Sequence, residues 1–149
     1  MIFRCYDESS TDQDFLLSGT ETQNPRIGVR RTTDDRLQIV SNNTIATGTT
    51  AFVENQTFLA AFKFNGTNSS IRVDGTQQAS GNIGTASFSS LNIGTNFQED
   101  QSIEGFIGEI VAFSDSSKTE LIEGYLAHKW GVDGNLDSTH PYALSAPTI

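Results

Sequence analysis

Basic residues are scarce in this chain: nine Lys and Arg against 18 Asp and Glu leave a formal net charge of −9. Nucleic-acid affinity rests on Lys and Arg displacing counterions from phosphates, so the balance argues against a nucleic-acid partner. An anionic membrane surface is disfavoured on the same ground. Acidity of this size serves solubility, cation binding or docking on a basic protein face. Cysteine is almost absent. Cys5 stands alone, which excludes an intrachain disulfide, and its place in the apolar-rich run Met1 to Tyr6 marks a buried thiol rather than a reactive one. No run approaches the ~18 apolar residues of a membrane span. Repeats, linkers and low-complexity stretches are missing too, so the 149 residues read as one domain, 1–149.

The patterns of catalysis are equally thin. No serine lies in a Gly-x-Ser-x-Gly elbow. A glycosidase needs two carboxylates about 5–9 Å apart across a cleft. On a strand they would alternate on one face, as in Glu-x-Asp-x-x-Glu, but Glu109 stands alone between Gly108 and Ile110. Glu99 and Asp100 are adjacent in a loop, and the single tryptophan, Trp130, is placed to pack at a helix end. Hydrolysis is therefore not expected, and no enzymatic activity is. His128 and His140 read as structural hydrogen-bonding residues rather than metal ligands. No EF-hand spacing occurs; the oxygens best suited to a hard cation such as calcium are those of Asn96, Glu99 and Asp100, with a second group in Asp7–Asp14. Solvated loop carboxylates are the competing reading of both groups. Four Asn-x-Ser/Thr matches, at Asn42, Asn55, Asn65 and Asn68, mark exposed turns.

What the chain does contain is short apolar runs punctuated by turns. Strands are expected at Ile2–Tyr6, Phe15–Ser18, Arg26–Arg31, Leu37–Ser41, Thr57–Phe64, Ser70–Asp74, Ser87–Gly94 and Gly105–Ser114. In Thr57–Phe64 large residues fall on both faces early on, which predicts burial on both sides. Ile71 and Val73 face one way and Arg72 the other, and Asp74-Gly75 reads as a tight hairpin turn. Asp34-Asp35 is a second hairpin candidate, with both carboxylates solvated at its tip. One amphipathic helix, about 117–130, is predicted near the end. Its apolar face is Leu121, Ile122, Tyr125 and Leu126, its start a capping box of Ser117 and Glu120, and its stop Gly131. Gly124 in mid-helix predicts close contact with a sheet or loop. The tail, 131–149, should pack across the sandwich through Trp130, Leu136, Pro141 and Tyr142, with its last residues projecting.

The segment Gly105-Phe-Ile-Gly-Glu-Ile-Val-Ala-Phe113, followed by Leu121-Ile-Glu-Gly-Tyr-Leu-Ala-His-Lys-Trp-Gly131 and His140-Pro-Tyr142, resembles the C-terminal end of laminin-G-like, concanavalin A-like domains. Such ends recur in bacterial surface proteins and phage virion proteins. The specific likeness covers Ile103 to Tyr142; from Ile2 to Gly94 it is a strand pattern only. The resemblance implies an all-β, concanavalin A-like (laminin G-like) jelly-roll sandwich with one C-terminal α-helix, and a binding or structural role without catalysis. It also implies a calcium site at the sandwich rim in many relatives.

Met1 leads into Ile2-Phe3-Arg4-Cys5 with no basic stretch, apolar core or cleavage site. A lectin-like domain without an export address fits a phage virion component, which assembles in the host cytoplasm and leaves by lysis. Three functions are then ranked. The first is a capsid decoration, cement or tail adhesion protein, oligomeric or lattice-bound, with capsid or tail proteins as partners and the virion as its location. The second is the carbohydrate-binding module of a secreted or cell-surface bacterial protein, cut from a longer chain and bound to cell-surface glycans. The third is a stand-alone glycoside hydrolase or lyase. For any of these the working surface is expected in the loops Thr20–Pro25, Asn42–Thr50 and Asn96–Ser102. Met1–Tyr6 would be an exposed edge strand unless a neighbouring chain or its own sheet covers it.

Overall fold

Alternation of large apolar with small or polar residues builds most of the strands, and a computed structural model shows how they assemble; it describes residues 1–6, 15–19, 27–41, 44–84, 88 and 90–148. The strands are β1 (Ile2–Cys5), β2 (Phe15–Ser18), β3 (Ile27–Arg31), β4 (Arg36–Ser41), β5 (Thr44–Ala51), β6 (Thr57–Lys63), β7 (Ser69–Val73), β8 (Thr76–Gly81), β9 (Asn92–Ile93) and β10 (Gly105–Glu109). They form two antiparallel five-stranded sheets, in the orders β10-β1-β6-β7-β8 and β5-β4-β3-β2-β9. The sheets face each other as a β-sandwich. Met1, Phe3, Cys5, Phe58 and Ala60 of the first sheet meet Leu17, Val29, Leu37 and Ile39 of the second in the main core. At its centre the ring of Phe52 lies 5.3 Å from that of Phe3 and 4.9 Å from that of Phe58. The β5 and β8 edges are laced by Gln78, whose Oε1 accepts from the backbone N–H of Thr50 at 3.0 Å and from its hydroxyl at 2.7 Å.

Several expectations change at this level. For β1 the alternative of cover by its own sheet holds, with β10 on one side and β6 on the other. Two strands were not expected. β5 occupies most of Asn42–Thr50, which is therefore sheet rather than a free loop, and β8 follows the Asp74-Gly75 turn. Both are rich in Thr, Gln, Gly and Ala, so they lack the apolar alternation by which the others announce themselves. The last expected strand stops at Glu109 rather than Ser114, and of Ser87–Gly94 only Asn92–Ile93 is strand among the described residues. The hairpin at Asp74-Gly75 is present, with left-handed φ values of 48° and 79° that suit a two-residue turn of this hand. At the β3–β4 turn Asp34 is solvated, but the Asp35 carboxylate is largely covered and lies 3.6 Å from the Arg31 guanidinium. Thr20–Pro25 and Asp7–Asp14 lie outside the described residues.

The helix α1 (Thr119–Trp130) follows a single 3-10 turn, Ser116–Lys118. Asp115, not Ser117, is the capping side chain: it accepts from the Ser117 N–H at 3.0 Å, and no capping box forms. Gly131, at φ 66°, terminates the helix in the left-handed conformation, its N–H turned back to the Ala127 and His128 carbonyls. The buried face also differs from the expected one. Glu123, Gly124, Leu126 and Ala127 are buried, whereas Leu121, Ile122 and Tyr125 are half-buried. Leu126 and Ala127 pack on Ile2 and Leu59, which point outward from β1 and β6, so the helix lies on the outer face of the first sheet. That accounts for the double-sided burial of β6: Phe58 and Ala60 face the other sheet, Leu59 faces the helix.

Candidate functional site

The residues that define the C-terminal motif converge on one place, where the helix, the tail and the β7–β8 hairpin meet. Arg72 points outward from β7, and its Nε and Nη2 donate to Glu123 Oε1 and Oε2 at 2.9 and 3.0 Å. Nη2 also donates to the Gly75 carbonyl, which ties the pair to the hairpin turn. His140 is buried in the tail, with Nε2 at 3.3 Å from Glu123 Oε2, while its Nδ1 accepts from the Tyr142 N–H at 3.3 Å. These partners put the ring proton on Nε2. His128 reaches the same stretch, its Nε2 donating to the Tyr142 carbonyl at 2.8 Å. Both histidines therefore serve as hydrogen-bonding struts. Gly124 is required because a Cβ there would stand 2.5 Å from Tyr142 Cβ. Leu136 is buried, as expected; Pro141 is exposed, and Leu144 projects at 98% exposure.

Next to this lock, Asp74 carries a covered carboxylate that accepts from the Leu59 N–H at 3.0 Å. Burial pushes its pKa up to about 6. Glu109, at the end of β10, is held differently: Lys129 Nζ lies 2.9 Å from Oε2, and Trp130 Nε1 donates to the same oxygen at 2.8 Å. The hydrogen bonds from Lys129 and Trp130 hold this carboxyl below its ordinary range. Glu109 thus braces the helix end against the sheet.

The loop Asn96–Ser102 brings the three suggested cation ligands into one turn, in which Asn96 and Asp100 bond to each other. Asn96 is buried at 2% exposure; its Nδ2 donates to Asp100 Oδ1 at 2.6 Å and its Oδ1 accepts from the Asp100 N–H at 3.1 Å. Glu99, with φ 61°, is an exposed turn residue. The arrangement is an asparagine-clamped turn. Among the described residues no group of three or more His, Cys, Asp or Glu side chains could hold a metal ion. Among the same residues no helix is long and apolar enough to cross a membrane.

A further concavity lies elsewhere, beyond the start of β1. It is a groove of about 900 Å³ running between the last residues of β6 and the segment Ile110–Ser114, which leads from β10 to the helix. Leu17 and Phe88 line it toward the second sheet, Ile122 and Leu126 on the helix side. At its closed end the Met1 ammonium donates to the Ala60 carbonyl at 2.6 Å, and burial pulls its pKa down to about 6. Sequence reading missed this groove because it is a gap between elements rather than a property of any one of them. It also missed the Arg72–Glu123 pair, although Arg72 facing away from Ile71 and Val73 was half of the signal. Compared with known proteins, the chain matches no family model, and no curated protein matches it significantly.

Proposed function

We propose that this chain is a non-enzymatic structural and binding module of a phage virion, a capsid decoration or cement protein or a tail adhesion protein, built on a laminin-G-like, concanavalin A-like jelly roll. One observation carries the reading: the ionisable side chains of the family-type tail are engaged in holding helix, tail and sheet together. Glu109 braces Lys129 and Trp130, Glu123 is enclosed by Arg72 and His140, and His128 is bonded to the Tyr142 carbonyl. What remains for function is a rigid frame with an acidic surface, suited to docking on a basic face of a capsid or tail protein. Mass-spectrometric copy counting on purified particles tests it. Presence at every capsomer supports decoration and a few copies support the tail, while absence from the particle overturns the virion setting. Release of reducing sugar from a polysaccharide that vanished in Glu109→Gln would overturn the non-enzymatic part.

A second reading, a carbohydrate-binding module of a secreted bacterial protein, is favoured by Phe106. Its ring is 43% exposed and stands edge-on to Trp130 at 5.9 Å, an apolar platform of the kind sugars stack on. Binding of a glycan at micromolar affinity, lost in Phe106→Ala, would promote it over the first.

A further inference from the structure

We propose that residues 136–142 of the tail form a proton-operated strap, closed over the hairpin and helix while the cluster around Asp74 holds an extra proton and lifted when that proton leaves. The inference goes beyond the functional reading above and holds wherever the module works.

The strap is seated largely on the Asp74-Gly75 turn. The Asp137 N–H donates to the Asp74 carbonyl at 3.2 Å. Leu136 and His140 close on Gly75, where an added Cβ would stand 3.2 Å from Leu136 Cδ2 and 2.9 Å from His140 Cδ2. On the helix side Gly124 makes room for Tyr142, and His128 Nε2 donates to the Tyr142 carbonyl. Beneath, Leu136 packs with Ile2, Leu59 and Ala127, so a lifted strap bares an apolar stripe on the outer face of the first sheet.

This seat is short of positive charge. Asp74 faces it from the hairpin, Glu120, Glu123 and His128 from the helix, and Asp133, Asp137 and His140 from the tail, with Arg72 the guanidinium among them. The Met1 ammonium acts on Glu123 from β1. Arg72 spends its fork on Glu123, and Nη2 also reaches the Gly75 carbonyl and lies 3.8 Å from Glu120. Asp74 is left with the Leu59 N–H and, among the described residues, no cation. Asp74 and Glu123 are both covered, so ionising both sets two carboxylates on one guanidinium away from water. A proton on Asp74 removes the conflict. Burial, with Glu123 beside it, holds that proton to about pH 6.

Once the proton goes, water must reach the carboxylate. Toward β6, Asp74 is fixed twice, its N–H to the Leu59 carbonyl at 2.8 Å and its carboxylate to the Leu59 N–H at 3.0 Å. Toward the tail its cover hangs on the single 3.2 Å bond from Asp137, so the strap is the part that yields. The closed strap binds the proton more tightly than the open one. Closure is therefore full below about pH 4 and is lost as pH rises through about 6. His140 sets the opposite sign. Its Nδ1 accepts from the Tyr142 N–H, and a proton there would turn donor against donor, so a strap run by His140 would open on acidification.

Hydrogen exchange followed by NMR tests the strap, each rate divided by that of an unstructured peptide at the same pH. The Asp137 amide, bonded to the hairpin, is the reporter. Its protection should fall at least ~10-fold from pH 4 to pH 7 and then level off. At every pH it should exchange at least ~10-fold faster than the Ala60 amide, because the strap lifts while the sheet stays folded. Asp74→Asn keeps an oxygen for the Leu59 N–H and loses the charge, so its Asp137 amide should stay protected at pH 7. Protection that does not change with pH overturns the proposal, as does a fall that persists in Asp74→Asn. Equal protection at Asp137 and Ala60 also overturns it, since only global unfolding would then open the tail. Protection lost on acidification refutes Asp74 as the control and assigns it to His140. Should Asp74→Asn not fold, the direction of the wild-type profile and the gap to Ala60 decide.

Discussion

Arg72 and Glu123 stand 51 residues apart in sequence and meet in a fork of hydrogen bonds at 2.9 and 3.0 Å, with only 3% of the Glu123 side chain exposed. A carboxylate so covered is tolerable only with its partner in place, and His140 takes up the geometry left over. Glu123→Ala should therefore cost about 3–5 kcal/mol, as expected when one member of a buried pair is removed. Urea unfolding would measure it. Adding Arg72→Met should recover part of the loss; a strictly additive double variant would show that the two residues do not act as a unit.

Gly124→Ala tests the seat of the tail. The new methyl would meet Tyr142 Cβ at 2.5 Å, and the loss should fall at about 1–3 kcal/mol, the range for overpacking. Replacing Tyr142 by Gly in the same chain removes Cβ and the ring together and should relieve that clash, whereas Tyr142→Ala keeps the 2.5 Å contact. If Gly124→Ala leaves both the unfolding midpoint and the protease resistance of 131–148 unchanged, the helix and tail are not in contact in solution.

Leu126 and Leu121 separate the buried helix face from the expected one. Leu126→Ala should cost about 2–5 kcal/mol because Leu126 is 1% exposed and packs on Ile2 and Leu59. Leu121→Ala, at a half-buried position, should cost under about 1.5 kcal/mol. Equal losses would place the helix in the other rotation.

Asp74 should make stability depend on pH. Its folded pKa of about 6 lies above the ordinary 3.8, so the folded chain binds its proton more tightly than the unfolded one. The stability it contributes is full below about pH 4 and is lost as pH rises through about 6. Asp74→Asn keeps an oxygen for the Leu59 N–H and removes the covered charge. At pH 7 the variant should be more stable by about 1 kcal/mol, a value discounted because the carboxylate keeps some solvent. The advantage should vanish near pH 4. A difference that stayed constant between pH 4 and pH 7 would contradict this assignment.

Much of the frame could be read from residues that obey local rules. The Asp74-Gly75 turn needs left-handed backbone, which glycine adopts freely, and Gly131 does the same at the helix end. Phe58, Leu59 and Ala60 signal burial on both sides by being apolar in succession. β5 and β8 escaped notice because edge strands rich in Thr and Gln bury little and are fixed by pairing, here by Gln78 bridging to Thr50. The helix face was misread for a different reason. Periodicity counts a glutamate as a solvent residue, yet Glu123 is buried because a distant arginine neutralises it. The asparagine clamp in Asn96–Asp100 resembles a ligand set in composition, and only its hydrogen bonds show that Asn96 Oδ1 and Asp100 Oδ1 also hold the turn itself.

The position of β1 has a kinetic consequence. It leaves the ribosome ahead of both its partners, β6 and β10, each separated from it by a long stretch of chain. Pairings this remote close slowly, because a long loop must be ordered before any contact rewards it. Until then Ile2, Phe3 and Cys5 form an unshielded sticky segment, a hazard for self-association during synthesis. Folding yield should therefore fall with expression rate, and a variant weakening β10 should aggregate before it loses measurable equilibrium stability.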